Sequence, residues 1–445
     1  MKRIVILGAG PLGLGAAHRL QQLGYRDFTV YDKNDYVGGL AASFTDDEGF
    51  TWDIGGHVIF SHYEFFDAFM AEMVPETVSH GRESWVWVQD RFIAYPFQNN
   101  FHFLEKDVVL ECVLGLHEAQ LKFPSYTNFH EWILHCFGEG IATYFMIPYN
   151  FKVWATPAEL MDSGWIAERV SVVDMKMVLA NIVGAKKDAS WGPNSTFDFP
   201  LRGGTGGLFS PMRGRLGRHL KLERNLISID PEAKRLRFDT GEEDSYDMLV
   251  NGAPLDLFVP MIEGVPNAVR EAAREMVFAG GWIVGVGFRQ PCPSDKNWMY
   301  FPESNCPFYR VTYLSNYSPL IAPDKDHYSL LCEISESKYK PVTHDEALEQ
   351  TLQGLINTRL ISESDRDAIV STHVIRRDHT YPVPFLGRDD RLRVVQAWLE
   401  SKDILSRGRF GGWKYEVGNM DHSVQMGKEA VDRILEAKKE SVYEW

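Results

Sequence analysis

Gly8-Ala9-Gly10-Pro11-Leu12-Gly13 is the stretch that decides the fold. It follows the apolar run Ile4-Val5-Ile6-Leu7. It precedes a segment of helical character, Ala16 to Leu23, and a second short run, Phe28-Thr29-Val30-Tyr31. Four apolar residues with no polar break suit a parallel strand covered on both faces. The opening therefore reads strand, glycine turn, helix, strand. Gly8 permits the tight turn, Gly10 lets the backbone approach a pyrophosphate without a Cβ, and Gly13 allows helix and strand to pack closely. The helix N-terminus then offers N–H groups to the phosphates. Asp32 ends the second strand, 24 residues after Gly8, where a carboxylate can accept from both hydroxyls of a ribose. Alone, the glycine pattern is weak. With both strands and the acid it points to a bound dinucleotide rather than a structural turn.

Further glycine clusters separate a flavin dinucleotide from a nicotinamide one. Gly38-Gly39-Leu40 follows Asp32, and Asp53-Ile54-Gly55-Gly56-His57 comes soon after. A nicotinamide dehydrogenase needs only the first loop. FAD also requires backbone to pass close to the ribityl chain and the ring, where side chains would collide. Ordinary hairpin turns are the competing reading of these clusters. Near the C-terminus, Gly418-Asn419-Met420-Asp421-His422-Ser423 precedes the last helical stretch, Val424 to Lys439. A helix N-terminus aimed at the flavin pyrimidine edge would stabilise negative charge there. A plain cap by Asp421 or Ser423 is the alternative.

The chain has 445 residues, 44% of them hydrophobic, too many for one ordinary core, so two or three domains are expected. The net charge of -15 argues against nucleic acid or an anionic membrane as partner. An anionic substrate would need local arginines to overcome that field. Cys112, Cys136, Cys292, Cys306 and Cys332 are odd in number and form no CxxC pair, so reduced thiols are expected and no metal site. No signal peptide precedes the first strand, and no run approaches 18 apolar residues. The expected location is cytoplasmic.

From about Phe101 to Met177 the pattern is helical. Thr196 to Lys221 reads as a glycine-rich turn and then a helix, with Arg202, Arg213, Arg215, Arg218, Lys221 and Arg224 as a mostly solvated face. Asp247 to Val250 resembles another parallel strand. Five runs between Gly281 and Pro384 favour an antiparallel sheet, interrupted by a helix near Asp345 to Asn357. The expected class is α/β. It comprises a Rossmann-like FAD-binding domain (1–78, 196–281 and 385–445), an inserted helical domain (100–178) and an antiparallel β-sheet substrate domain (79–99, 179–195 and 282–384).

Several blocks, in order along nearly the whole chain, resemble UDP-galactopyranose mutases of the eukaryotic type. They include Gly55-Gly56-His57-Val58-Ile59-Phe60-Ser61-His62-Tyr63, Tyr95-Pro96-Phe97-Gln98-Asn99-Asn100, Pro148-Tyr149-Asn150-Phe151-Lys152-Val153-Trp154, Trp191-Gly192-Pro193-Asn194, Cys306-Pro307-Phe308-Tyr309-Arg310 and Tyr415-Glu416-Val417-Gly418-Asn419. The resemblance implies redox-neutral interconversion of UDP-galactopyranose and UDP-galactofuranose. In it the N5 of reduced FAD attacks the anomeric carbon and forms a flavin–sugar adduct as UDP departs. NADPH is the implied reductant, and Arg82 matches a position near where it delivers hydride.

By the same resemblance Arg169 and Arg310 grip the diphosphate, with Tyr300, Tyr381, Tyr415 and Asn419 as further phosphate contacts. Tyr95, Phe97, Gln98, Asn150 and Trp154 match the uridine pocket, and Asn194 and Trp298 lie near the sugar. Arg409 bridges flavin and substrate, and His57 sits beside N5. The implied cofactor contacts are Gly8, Gly10, Gly13, Asp32, Gly38, Gly39, Leu40, Gly55, Gly56, His57, Arg409, Gly418, Asn419 and Ser423. Ser190 and Met420 depart from the family's pattern. The chain ends at Trp445 without the tail and insertions of fungal members, so a monomer or homodimer is expected. Two other readings remain open. One is a related flavin mutase for another nucleotide sugar. The other is an FAD-dependent amine or protoporphyrinogen-type oxidase, which would require an apolar substrate cavity.

Overall fold

The computed structural model describes residues 2–166, 170–188 and 195–445. Its first layer is a five-stranded parallel sheet in the order Ile404–Ser406, Met248–Asn251, Ile4–Leu7, Phe28–Tyr31, Leu220–Lys221. Ile4–Leu7 is central and fully buried, as its unbroken apolar run requires. Its neighbours come from sequence positions more than 200 residues apart, so the sheet is assembled from both ends of the chain. The C-terminal ends of these strands open onto one cleft, which Gly8, Asp32, Gly252 and Gly408 line.

The glycine-loop helix spans Pro11–Gln22, starting earlier than its apolar periodicity indicates. Proline at the first helical position has no N–H to waste and a φ already suited to the helix. It packs against the C-terminal helix Met420–Glu436. The crossing is close enough that a Cβ on Gly427 would sit 2.2 Å from the Leu12 carbonyl oxygen. The C-terminal helix likewise begins earlier than expected, so Asp421, His422 and Ser423 belong to its first turn.

The second layer is a seven-stranded sheet in the order Ile369–Pro382, Phe278–Phe288, Tyr328–Glu336, Arg310–Tyr313, Trp298–Tyr300, Ser84–Val88, Arg91–Ala94. Its pairings are antiparallel except Trp298–Tyr300 with Ser84–Val88, which run parallel. The long strand Phe278–Phe288 carries Gly285 where Trp52 lies across it. A Cβ there would meet that indole at 2.4 Å. This joins the hairpin that precedes the Gly55-Gly56 turn to the sheet bearing Arg310.

The helical unit pairs Lys106–Lys122 with Phe129–Ile141, the latter capped by Asn128, whose side chain accepts from Glu131 N at 2.9 Å. One π turn, Ala142–Met146, leads into Ile147–Trp154. Thr196 to Lys221 differs from expectation. Thr196–Pro200 is a strand paired with Thr77–Gly81, because Phe197 and Phe199 alternate inward. Only Pro211–Leu216 is α-helical there. Of the six basic residues, Arg202, Arg213, Arg215 and Arg218 are exposed, whereas Lys221 and Arg224 pair with Glu242. Among the described residues no helix is long and apolar enough to cross a membrane.

Candidate functional site

A cleft of about 830 Å³ runs from the parallel-sheet edge to the seven-stranded sheet. At the nucleotide end, Asp32 Oδ2 accepts from Ala9 N at 2.6 Å, and Oδ1 accepts from Asn34 N and Nδ2 at 2.8 Å each. Burial raises the Asp32 carboxyl, and these hydrogen bonds oppose the rise. Gly39 adopts φ +56°, and a Cβ on it would meet Gly10 Cα at 3.3 Å. Two glycine loops therefore pass backbone against backbone along the cleft wall. No side chain caps the Pro11–Gln22 helix, whose first N–H groups remain for an anion. Gly8, Gly10, Gly13, Asp32, Gly39 and Leu40 all line this end. Gly38 lies just behind, turning the chain at φ +100° while its N–H donates to Ala9 O at 2.8 Å. Arg224 also lines it, a basic residue first read as solvated. This cradle fits a flavin dinucleotide.

Deeper in, the Gly55-Gly56-His57 turn lies against Arg310 and Glu333. Arg310 Nη2 donates to Gly56 O and to Glu333 Oε1, each at 2.8 Å, and its Nε donates to Glu333 Oε2. Tyr309 OH donates to the same Oε1 at 3.0 Å and lies 3.3 Å from Tyr381 OH. Glu333 raises the Arg310 guanidinium pKa despite its burial, so the cation is retained. His57 Nδ1 is buried without a hydrogen-bond partner among the described residues. A sealed ring nitrogen of this kind is the natural counterpart of a polar group bound in the cleft.

Burial pushes the His57 imidazole down to about 4, with Arg310 and Arg409 adding to the effect against Glu333. His57 is therefore neutral at physiological pH. The unfolded chain takes up this proton near pH 6.5 and the folded chain only near 4. Folding stability attributable to His57 is thus present above 6.5 and is lost as pH falls toward 4. Chemical denaturation across that window should show wild type losing stability relative to His57→Gln. Parallel curves for the two proteins would contradict the assignment.

Arg409 Nε donates to Thr380 O at 2.9 Å and Nη1 to Gly418 O at 3.1 Å, with the guanidinium 4.9 Å from the Tyr381 ring centre. Trp298 Nε1 donates to Tyr300 OH at 2.7 Å, and Tyr95 lies 5.3 Å from Tyr300. The Arg82 guanidinium stands 5.3 Å from the Tyr95 ring. Gly55, Gly56, His57, Arg82, Tyr95, Trp298, Tyr300, Arg310, Tyr381, Arg409, Tyr415, Gly418, Asn419 and Ser423 all line the cleft.

Phe97, Gln98, Asn150 and Trp154 do not reach the cleft surface. They are buried behind it, with Gln98 donating to Ser171 O at 2.9 Å and Trp154 set edge-on to Tyr415 at 4.7 Å. Arg169, Asn194 and Ser190 lie outside the described residues. Two contributors, Glu333 and Tyr149, were not singled out from the sequence. Glu333 was legible as an acid at a buried position of the apolar strand Tyr328–Glu336. Tyr149 packs edge-on to Tyr300 at 5.3 Å. Asp421 does not cap its helix but accepts from His62 Nδ1 at 2.7 Å and His422 Nδ1 at 3.0 Å. Burial works to raise its carboxyl, but the histidine hydrogen bonds prevail and hold it below the usual range.

Comparisons with known proteins agree with this geometry. A family model described as flavin containing amine oxidoreductase matches residues 13–435. The crystal structure of a reduced UDP-galactopyranose mutase superposes with a TM-score of 0.96 at 44% identity, covering 99% of this chain and 95% of that one. A putative protoporphyrinogen oxidase from Exiguobacterium sp. 255-15 shares the fold, with a TM-score of 0.72 at 17% identity over 98% of this chain and 99% of that one. Among curated proteins, 4,4'-diaponeurosporene oxygenase of Staphylococcus haemolyticus (strain JCSC1435) is 40% identical over 68 residues, 15% of this chain and 13% of that protein. The chain thus spans only a small part of the curated relatives it matches.

Proposed function

Since the chain belongs to the flavin containing amine oxidoreductases and, within them, to the UDP-galactopyranose mutases, we propose that it binds FAD and interconverts UDP-galactopyranose and UDP-galactofuranose. The observation that carries this reading is Arg310, a retained cation held between Glu333 and the Gly56 carbonyl at the inner end of a glycine-lined dinucleotide cleft. An apolar-substrate oxidase has no use for that cation there. Bound FAD, once reduced, would supply the nucleophile that this redox-neutral interconversion needs, and NADPH would be its reductant.

The protein's own residues bind, orient and shield. Asp32 is placed for the adenosine ribose, and the uncapped helix N-terminus for the pyrophosphate. Arg310 stabilises the diphosphate before and after the glycosidic bond breaks, when negative charge on UDP is greatest. Tyr300, Tyr381 and Tyr415 add hydroxyls around that position, and Arg169 supplies the second guanidinium. Arg409, fixed through Thr380 O and Gly418 O, bridges the flavin and sugar-nucleotide regions. Neutral His57 keeps a ring nitrogen available beside the flavin without adding charge.

The test is to purify the protein, record its absorbance spectrum and assay UDP-galactofuranose conversion with and without dithionite. A yellow protein active only when reduced is expected. A colourless protein that refuses FAD, or equal turnover when oxidised, refutes the proposal. Arg82, stacked near Tyr95, is assigned to the reductant. Arg82→Ala should slow NADPH-driven flavin reduction about tenfold, the loss of one charge-assisted contact, while dithionite-reduced enzyme keeps its turnover. Stopped-flow reduction kinetics would show this split, and equal losses in both assays would reassign Arg82 to the substrate.

A further inference from the structure

Lys152 is a buried cation with an unusual set of neighbours. Its Nζ donates to the carbonyls of Glu303 and Cys306, each at 2.9 Å, and lies 3.3 Å from Cys306 Sγ. No carboxylate pairs with it among the described residues, although buried lysines ordinarily require one. Lys152 is 6% exposed and Cys306 5% exposed. The two come from different parts of the fold. Lys152 is on the helix Ile147–Trp154, whose Tyr149 packs on Tyr300. Cys306 is in the loop joining the strands Trp298–Tyr300 and Arg310–Tyr313.

We propose that Lys152 and Cys306 are a redox modification site, joined on oxidation by a covalent N–O–S bridge between Nζ and Sγ. An inserted oxygen atom spans most of the observed gap, whereas a direct sulfur–nitrogen bond would demand a far larger approach. The step consumes dioxygen. The O–O bond, the S–H bond and one N–H bond of the neutral amine break, while one S–O and one N–O bond form. The second oxygen leaves as water with the two hydrogens. Hydrogen peroxide serves as oxidant equally, two molecules being consumed and three waters released. Thiol reductants reverse the bridge, as they do other early rungs of cysteine oxidation.

The surroundings favour the chemistry. Burial lowers the Lys152 ammonium pKa toward the neutral amine that bond formation needs. Burial raises the Cys306 thiol, and Lys152 pulls it back. Lys340, donating to Ser335 O at 2.8 Å nearby, is pushed down to about 8 by burial and by Lys152. Once formed, the bridge would tie the helix bearing Tyr149, which packs behind Tyr300, to the loop between Tyr300 and Arg310.

The test treats the flavin-loaded protein with hydrogen peroxide in aerated buffer, then alkylates in denaturant without thiol and maps tryptic peptides by mass spectrometry. A linked pair of peptides carrying Lys152 and Cys306 is expected, heavier than their sum by one oxygen less two hydrogens, about 14 Da. Cleavage after Lys152 should disappear and return with dithiothreitol. Cys306→Ser and Lys152→Arg should each abolish the linked species. Cys306 recovered as sulfinic acid, in a disulfide with Cys332, or freely alkylated, with Lys152 still cleaved, overturns the proposal. Should either variant fold poorly, the wild-type map alone decides.

Discussion

Arg310→Ala is expected to lower kcat/KM for UDP-galactofuranose by about 100- to 1000-fold, the usual cost of removing one preorganised charge-stabilising donor. The yellow cofactor should stay in place, because Asp32 and the Gly8–Gly13 and Gly38–Gly39 turns lie at the opposite end of the cleft from Arg310. The substitution also strands Glu333, which is 5% exposed and, among the described residues, keeps only the Tyr309 hydroxyl as side-chain partner. An uncompensated buried carboxylate costs about 3–5 kcal/mol, so lost activity by itself could reflect lost folding. The double variant Arg310→Met/Glu333→Leu separates the two. Exchange of a buried ion pair for apolar residues of similar volume is often neutral in stability, so this protein should recover its denaturation midpoint but not its turnover. Unchanged UDP affinity in a folded Arg310→Ala protein, read by flavin fluorescence, would refute the assigned role.

Arg407→Ala should destabilise the fold by about 3–5 kcal/mol without touching the cleft. Arg407 is fully buried. It donates to Glu440 through Nε and Nη2, both at 2.7 Å, and to Glu400 at 2.6 Å, while its guanidinium lies 4.7 Å from the Tyr443 ring centre. Removal leaves two largely buried glutamates to share Arg433. The pH dependence follows from the sign of the shift. Burial acts to raise Glu400, but hydrogen bonds from Arg433 and Arg407 hold its folded pKa below the usual 4.5. Its contribution is therefore complete above 4.5 and is lost as pH falls through the lower folded value. In Arg407→Ala that acid-labile contribution should shrink. Urea denaturation of both proteins at pH 7 and pH 4 measures this. A loss under 1 kcal/mol at pH 7 would contradict the reading.

The dinucleotide end was legible because its chemistry is local. A glycine turn between a buried strand and a helix, with Asp32 at the next strand's end, needs only neighbours in sequence to declare itself. The antiparallel strands from Ile283 onward were legible as runs between turn residues, although Phe278–Phe288 and Ile369–Pro382 extend well beyond those runs. The substrate end was legible only through family resemblance. Nothing near Arg310 in sequence predicts that its partners are Gly56 O and Glu333, 254 and 23 residues away. Phe97, Gln98, Asn150 and Trp154 show the limit of resemblance, since the packing places them behind the cleft wall.

From the order of its residues alone, this chain was committed to a parallel-sheet dinucleotide cradle with extra glycine loops for flavin, because backbone conformation and Cβ clearance are decided within a few residues. Only the tertiary structure settled which cations and carboxylates meet at the inner end, and that the His57 ring, with Nδ1 buried, is neutral. Burial and charge pairing depend on segments hundreds of residues apart converging on one volume, and no short stretch of sequence contains that information.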